Sequence, residues 1–177
     1  MMPNPPPAGL NAAAANGPRL LLADHHRHLE EMFEALRACA QDGCPPVLIE
    51  QYRILERAML EHLEFEEAAI LPDYAVAHPA DAAAIRDDHA AIRNLLFHMG
   101  VEVELHVIRL DTLLHLLDTL RAHAAREETA MYPWAQVHLP LSTRRRLFVR
   151  LGRSLRKLAE LRAPLTAAGP ADAPGAR

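Results

Sequence analysis

Residues 61–72 read EHLEFEEAAILP, and residues 122–133 read AHAAREETAMYP. Each stretch places a His, a Glu four residues later, a second Glu beside it, and a Pro ten residues after the His. Ala, Leu, Glu and Arg dominate the chain around both, so each is read as helix. At helical spacing His62 and Glu66 share one face about a turn apart, and so do His123 and Glu127. Apolar residues continue both faces: Leu55, Met59 and Ile70 around the first pair, Leu116, Leu120 and Met131 around the second. The polar pairs therefore interrupt stripes that otherwise read as core.

Two further helices carry the same kind of interruption. The segment at about 18–41 has the stripe Leu22, Leu29, Phe33, Leu36, with His26 in its gap. The segment at 80–100 has Ile85, Ile92, Leu96 and Met99, with His89 in its gap. Helices are expected at 46–76, with Leu48 and Tyr52 leading its stripe, and at 107–137, from Leu113 to Trp134. Gly and Pro fall almost entirely in tails and joints, and no segment alternates with the period of a strand. Short joints favour antiparallel neighbours. The expectation is an all-α fold: an up-down-up-down four-helix bundle over 18–139, followed by an additional basic amphipathic helix within 140–163. The Pro- and Ala-rich ends, 1–17 and 164–177, are read as disordered tails.

The chain has 177 residues, which suits one domain. Its net charge of −4 argues against a nucleic-acid partner. The apolar runs fall far short of the ~20 residues that span a bilayer, so no transmembrane segment is expected. The opening MMPNPPPAGLNAAAANGP has no basic n-region and no apolar h-region. Cys39 and Cys44 read as free thiols, and a cytoplasmic location is expected. Eight of the 19 basic residues lie between Arg144 and Arg162. That helix has its own stripe, Leu147, Leu151, Leu155 and Leu158, and is read as packing across the bundle with Arg stems over apolar surface. A homodimer contact or an anionic-surface contact through 142–163 is the alternative.

Four His and two Glu facing one core need compensation, because burying ionised groups without partners costs several kcal/mol each. Imidazoles and carboxylates converging from facing helices suit a borderline transition metal such as iron, manganese or zinc. No Cys falls on these faces, and neither a haem-attachment C-x-x-C-H nor a metalloprotease H-E-x-x-H is present. Six ligands exceed what one tetrahedral ion takes and suit two ions. If both Glu bridge, each ion takes two His and two carboxylates, a bridging water or hydroxide adds a fifth bond, and one position stays open. His26 to His89 is 63 residues and His62 to His123 is 61, so the chain reads as two copies of one half, each giving a single-His helix and a His-x-x-x-Glu helix.

This order of motifs resembles the hemerythrin-like, or HHE cation-binding, family over about 20–137, including the Pro that closes ILP at 70–72 and MYP at 131–133. Ferritin-like bundles use Glu-x-x-His instead, and none of the 11 His has a Glu three residues before it. The resemblance implies a centre of two iron ions with an oxo or hydroxo bridge. His26, His62, His89 and His123 would be terminal ligands, with Glu66 and Glu127 bridging. His25 can stand in for His26, and Glu30, one turn further on, is an extra candidate. The oxygen carriers of the family draw a carboxylate from five residues after the His, which makes Glu67 and Glu128 the alternatives to Glu66 and Glu127. Those carriers also have a second His one turn after the His of the third helix, where this chain has Arg93. The four-His, two-Glu pattern is closer to the iron-centre repair and nitric-oxide-responsive members.

The function expected is a non-haem di-iron protein that meets oxygen, nitric oxide or peroxide, in sensing, storage or repair, or detoxification. A di-iron oxidase or peroxidase is the enzymatic alternative. A metal-stabilised module acting through its basic helix is the other. Two ferrous ions bring +4 against −2 from two Glu, so acids nearby such as Asp88 are expected to supply part of the balance. His28, His78, His98, His106, His115 and His138 are read as surface residues, and Tyr52, Tyr132 and Trp134 as core packing.

Overall fold

The computed structural model describes residues 17–42 and 45–167, and every element among them is helical. In chain order these are α1 (Gly17–Asp42), α2 (Pro45–Ala69), α3 (Leu71–Ala77), α4 (Pro79–Glu104), α5 (Leu110–Arg126), a π-helical segment (Glu127–Met131), α6 (Tyr132–His138) and α7 (Leu141–Ala167). Residues 1–16 and 168–177 of the tails and Cys44 lie outside the described residues, as do the side chains of Cys39, Leu155 and Leu158, whereas Gly17 and residues 164–167, read from the sequence as tail, are helical and belong to α1 and α7. Among the described residues no helix is long and apolar enough to cross a membrane.

α1 packs on α2, α2 on α4, α4 on α5, and α5 and α6 close the ring back onto α1. This is the four-helix bundle, with α3 and α6 completing its second and fourth members. α7 lies across α1 and α2, burying Leu147 and Leu151. The core divides into two apolar clusters. One runs from Leu29, Phe33 and Leu36 to Ile92, Leu96 and Leu116. The other gathers Leu22, Ile70, Leu71, Ile85, Met131 and Tyr132 with Leu147 and Leu151 of α7.

Two helices expected to be continuous are interrupted, and a proline explains each. The expected 46–76 helix turns at Ile70, two residues before Pro72. A proline inside a helix has no N–H to donate and crowds the carbonyl four residues back. The chain loses little there, because Ile70 N–H still reaches the Glu66 carbonyl at 3.0 Å and Tyr74 N–H the Ile70 carbonyl at 3.0 Å. The expected 107–137 helix starts later, at Leu110, and widens into the π segment just before Pro133. Tyr132 N–H there reaches back five residues to the Glu127 carbonyl. Thr129 Oγ1 donates to the carbonyls of Ala125 (2.7 Å) and Arg126 (3.1 Å), a bond pattern that bends helices.

The third helix runs past Gly100 to Glu104 instead of stopping at 100. Gly100 is not a terminator. It lies under the Tyr52 ring, whose hydroxyl would be 3.4 Å from a Cβ at 100 and donates to the Leu96 carbonyl. The end comes at His106, which takes the left-handed conformation with φ 58°. Val107 N–H bonds the Glu102 carbonyl (3.0 Å) and His106 N–H that of Val103 (3.1 Å), closing a Schellman cap. His106 is exposed and its Cβ is strained there, so His106→Gly is expected to stabilise the protein by about 0.5 to 1 kcal/mol, read from urea midpoints.

Candidate metal centre

The polar layer lies between the two apolar clusters. On α1, His26 falls between Leu22 of one cluster and Leu29 of the other; on α4, His89 stands likewise between Ile85 and Ile92. His62 and Glu66 come from α2, His123 from α5 and Glu127 from the π segment. All six are buried, and Glu66, Glu127 and His89 are fully enclosed at 0% exposure. They form two sets of four: His26, His62, Glu66 and Glu127, and His89, His123, Glu66 and Glu127. In each set one ligand-type atom per residue lies within 4.8 Å of all the others, and both carboxylates belong to both sets.

The Nε2 atoms of His26 and His62 are 2.9 Å apart. His62 Nε2 lies 3.4 Å from Glu66 Oε2, and His26 Nε2 is 3.4 Å from Glu127 Oε2. On the other side His89 Nε2 is 3.6 Å from Glu66 Oε2 and 3.4 Å from Glu127 Oε1, and His123 Nε2 is 3.3 Å from Glu127 Oε2. Glu66 Oε2 and His123 Nε2 are buried without any hydrogen-bond partner. Orphaned lone pairs of this kind are rare in a folded core and call for an explanation. A pair of cations between them supplies one, and the nitrogen–oxygen donor set suits iron, manganese or zinc.

The outer nitrogens of two of the four rings are held by carboxylates, while His62 Nδ1 has no hydrogen-bond partner. His26 Nδ1 is 3.0 Å from Glu128 Oε1, and His89 Nδ1 is 2.9 Å from Glu67 Oε1. His123 Nδ1 faces Asp88 Oδ2 more loosely, at 3.8 Å. Arg93 grips Glu67 with two bonds, 2.8 and 2.9 Å, and Arg126 holds Asp88 at 3.0 Å. A ring that donates Nδ1–H outward keeps its Nε2 lone pair for the centre. Burial works to raise the Glu67 carboxyl, but Arg93 and His89 outweigh it and hold it down.

Glu67 and Glu128 thus stand behind the His rings of neighbouring helices instead of joining the six, because a fifth residue rotates off the inward face. Glu30 points away and pairs with Arg121 Nε at 2.8 Å. His25 is buried outside the layer: it stacks flat on His62, centroids 4.8 Å apart, with Nε2 3.4 Å from Ser154 Oγ of α7. Of the six His read as surface residues, His28 is half-buried and the others are exposed.

The sequence reading named Tyr132 but assigned it to core packing. It is fully buried, and its hydroxyl lies 2.9 Å from His26 Nε2 and 3.0 Å from Glu127 Oε2, and makes a very short bond to Glu66 Oε1. In an α-helix, position i+5 lies about 140° round from i; the π segment, bonded i to i+5, brings Tyr132 onto the face of Glu127. One signal was available in the sequence. Aligning the two copies sets Tyr132 against Leu71, the only apolar-to-hydroxyl change next to the paired prolines.

The two carboxyls are driven apart. Burial, and then the Glu127 charge, push Glu66 well above the ordinary carboxylate range. Burial opposes charge on Glu127 too, yet hydrogen bonds from His26 and His89 and the nearby His123 hold it well below. Burial is also the main reason that His25 is lowered to about 4, with His26 adding to it. An unfolded His takes up its proton near pH 6.5, so His25 favours the unfolded chain as pH falls below that value. Metal-free His25→Gln is therefore expected to gain on the metal-free parent by up to about 3 kcal/mol between pH 6.5 and 4, followed by denaturant titration at each pH.

A family model described as the hemerythrin HHE cation binding domain matches residues 18–135. That span contains all six residues of the layer. No curated protein and no solved structure matches the chain.

Proposed function

The chain belongs to the hemerythrin HHE cation-binding family, and from that premise we propose that it holds two iron ions and presents them to a small ligand such as oxygen, nitric oxide or peroxide. His26 and His62 would hold one ion and His89 and His123 the other, Glu66 and Glu127 would serve both, and an oxo or hydroxo group would complete the centre. The observation that carries this is the pair of four-residue sets sharing both carboxylates. When bound, the irons supply the redox and ligand-binding chemistry.

The protein's own contribution is binding, orientation and exclusion of water. Glu128 and Glu67 fix the rings of His26 and His89 through Nδ1. The apolar clusters above and below keep the layer dry, which strengthens every electrostatic contact in it. A cavity of about 390 Å³ between α1 and α5, whose wall also includes Arg27, Glu30, Arg121 and Glu128, reaches His26 and His123 along Leu29, Phe33, Met59 and Leu120, a route wide enough for a small molecule. Arg93, tied to Glu67, stands where the oxygen carriers have a further His, which supports the four-His, two-Glu branch and a role in sensing, storage or repair, or detoxification. Cys39 and Cys44, read from the sequence as free thiols, support a cytoplasmic setting.

A second reading is a di-iron oxidase or peroxidase. It draws on the same cavity, whose volume falls in the range of small-molecule sites and exceeds what a diatomic molecule needs. The first test is metal content per chain without added metal, with the optical spectrum taken before and after oxygen. Near two irons per chain, with a band that disappears on reduction, is the expected result. A single zinc, or no metal even after iron reconstitution, rejects the proposal. Repeated turnover of peroxide with an added electron donor would favour the enzyme.

A further inference from the structure

We infer that the phenol oxygen of Tyr132 is a seventh ligand of the centre, binding the ion held by His26 and His62. The inference rests on the di-iron reading above and adds to it an asymmetry between the two halves.

Two ligand atoms at right angles on one ion, each about 2.1 Å from it, lie roughly 3 Å apart. The atoms of the His26 half meet that spacing: 2.9 Å between His26 Nε2 and His62 Nε2, and 3.4 Å between His26 Nε2 and Glu127 Oε2. The Tyr132 oxygen belongs to the same set, at 2.9 Å from His26 Nε2, 3.0 Å from Glu127 Oε2 and within bonding distance of Glu66 Oε1. A side chain that only packed the core would keep its hydroxyl on the backbone, as Tyr52 does at Leu96, or near the surface, as Tyr74 does at Asp81. Tyr132 instead spends its one polar atom on three groups of the polar layer.

The other half has no counterpart. The position equivalent to Tyr132 is Leu71, buried in the apolar cluster, and the chain there makes an ordinary turn at Ile70 instead of a π segment. The ion at His89 and His123 is thus left with its open position, while that at His26 and His62 has it filled. When iron binds Tyr132, the phenol O–H bond breaks, an iron–oxygen bond forms, and the proton passes to solvent, with no change of oxidation state. The oxygen anion adds one negative charge to the two carboxylates, toward balancing the buried cations.

The test uses the full chain loaded with ferrous iron and oxidised in air, with iron per chain measured first. The expected result is a visible phenolate-to-iron charge-transfer band that, per iron bound, is lost completely in Tyr132→Phe. The chain has three tyrosines, so Tyr52→Phe and Tyr74→Phe must both keep the band. If Tyr132→Phe does not load, resonance Raman of the parent grown on ring-deuterated tyrosine decides: shifted phenolate modes that persist in both control variants support Tyr132. A loaded, oxidised parent without phenolate modes, or a band that survives in Tyr132→Phe, overturns the inference and leaves the di-iron reading standing. Failure to bind iron overturns both.

Discussion

Glu66→Gln and Glu127→Gln are expected to look alike when metal is offered and unlike when it is removed. Each carboxylate belongs to both four-residue sets, so under the proposed di-iron function either change would deprive both ions of a shared ligand, and iron is expected to fall from near two to below one per chain. Without metal the two positions differ. Burial keeps Glu66 protonated well above the usual carboxylate range, and Tyr132 donates to its Oε1. Gln copies a neutral carboxyl in shape and retains that acceptor, so metal-free Glu66→Gln should stay within about 1 kcal/mol of the parent. Glu127 is ionised and sits among His26, His89 and His123. Although burial resists charge on His26, Glu127 and Glu128 raise its pKa, so neutralising Glu127 removes the stronger of the two partners that favour its protonated form. Breaking a buried pair by removing one partner costs about 3 to 5 kcal/mol, and chemical denaturation of the chelated variants would register it. Equal metal-free stabilities would show that the two carboxyls share their proton evenly, against the asymmetry described here.

The bundle was legible in the sequence because its signals agree at every level. Strong helix formers, heptad-like stripes and breaks at Gly and Pro all point to the same four antiparallel helices. The polar layer was legible for the opposite reason: His26 and His89 violate stripes that Leu22, Leu29, Ile85 and Ile92 define. Register also separates Glu66 from Glu67, since the fifth residue after a His turns off the face in an α-helix. What the pattern could not carry was departure from the α-helical period. Tyr132 reaches the layer only because the π segment resets the register before Pro133. The outer partners escaped it as well. Glu67 meets His89, and Glu128 meets His26, across helices, and no spacing along the chain encodes a contact between turns of different helices. Gly100 misled for a third reason: propensity marks glycine as a stop, and the Tyr52 ring above it decides otherwise.

Stripping the metal is expected to have the largest effect on the molecule as a whole. A cation that binds the folded chain and not the unfolded one stabilises by about 4 kcal/mol when its free concentration exceeds Kd a thousandfold. For a domain of this size that corresponds to a fall in Tm of roughly 8 to 16 °C on chelation, read by circular dichroism. The helices should nevertheless persist at 25 °C, because the two apolar clusters lie on either side of the layer and neither needs the metal to pack. Loss should concentrate in between, where His62 and His123 are held well below their usual pKa, chiefly by burial, and Glu66 Oε2 has no partner. Hydrogen exchange would place the new openings on α2 near Glu66 and on the π segment, with Leu36 and Leu96 still protected. The direction with pH follows from the ligands: imidazoles bind metal only when deprotonated, so the gap between loaded and stripped protein should shrink as pH falls through the range in which free His titrates. A Tm unmoved by chelation at pH 7.5, in protein shown to have carried two irons, would mean that the unfolded chain binds them equally well. The six residues come from separate helices and meet only in the folded chain, which argues against that outcome.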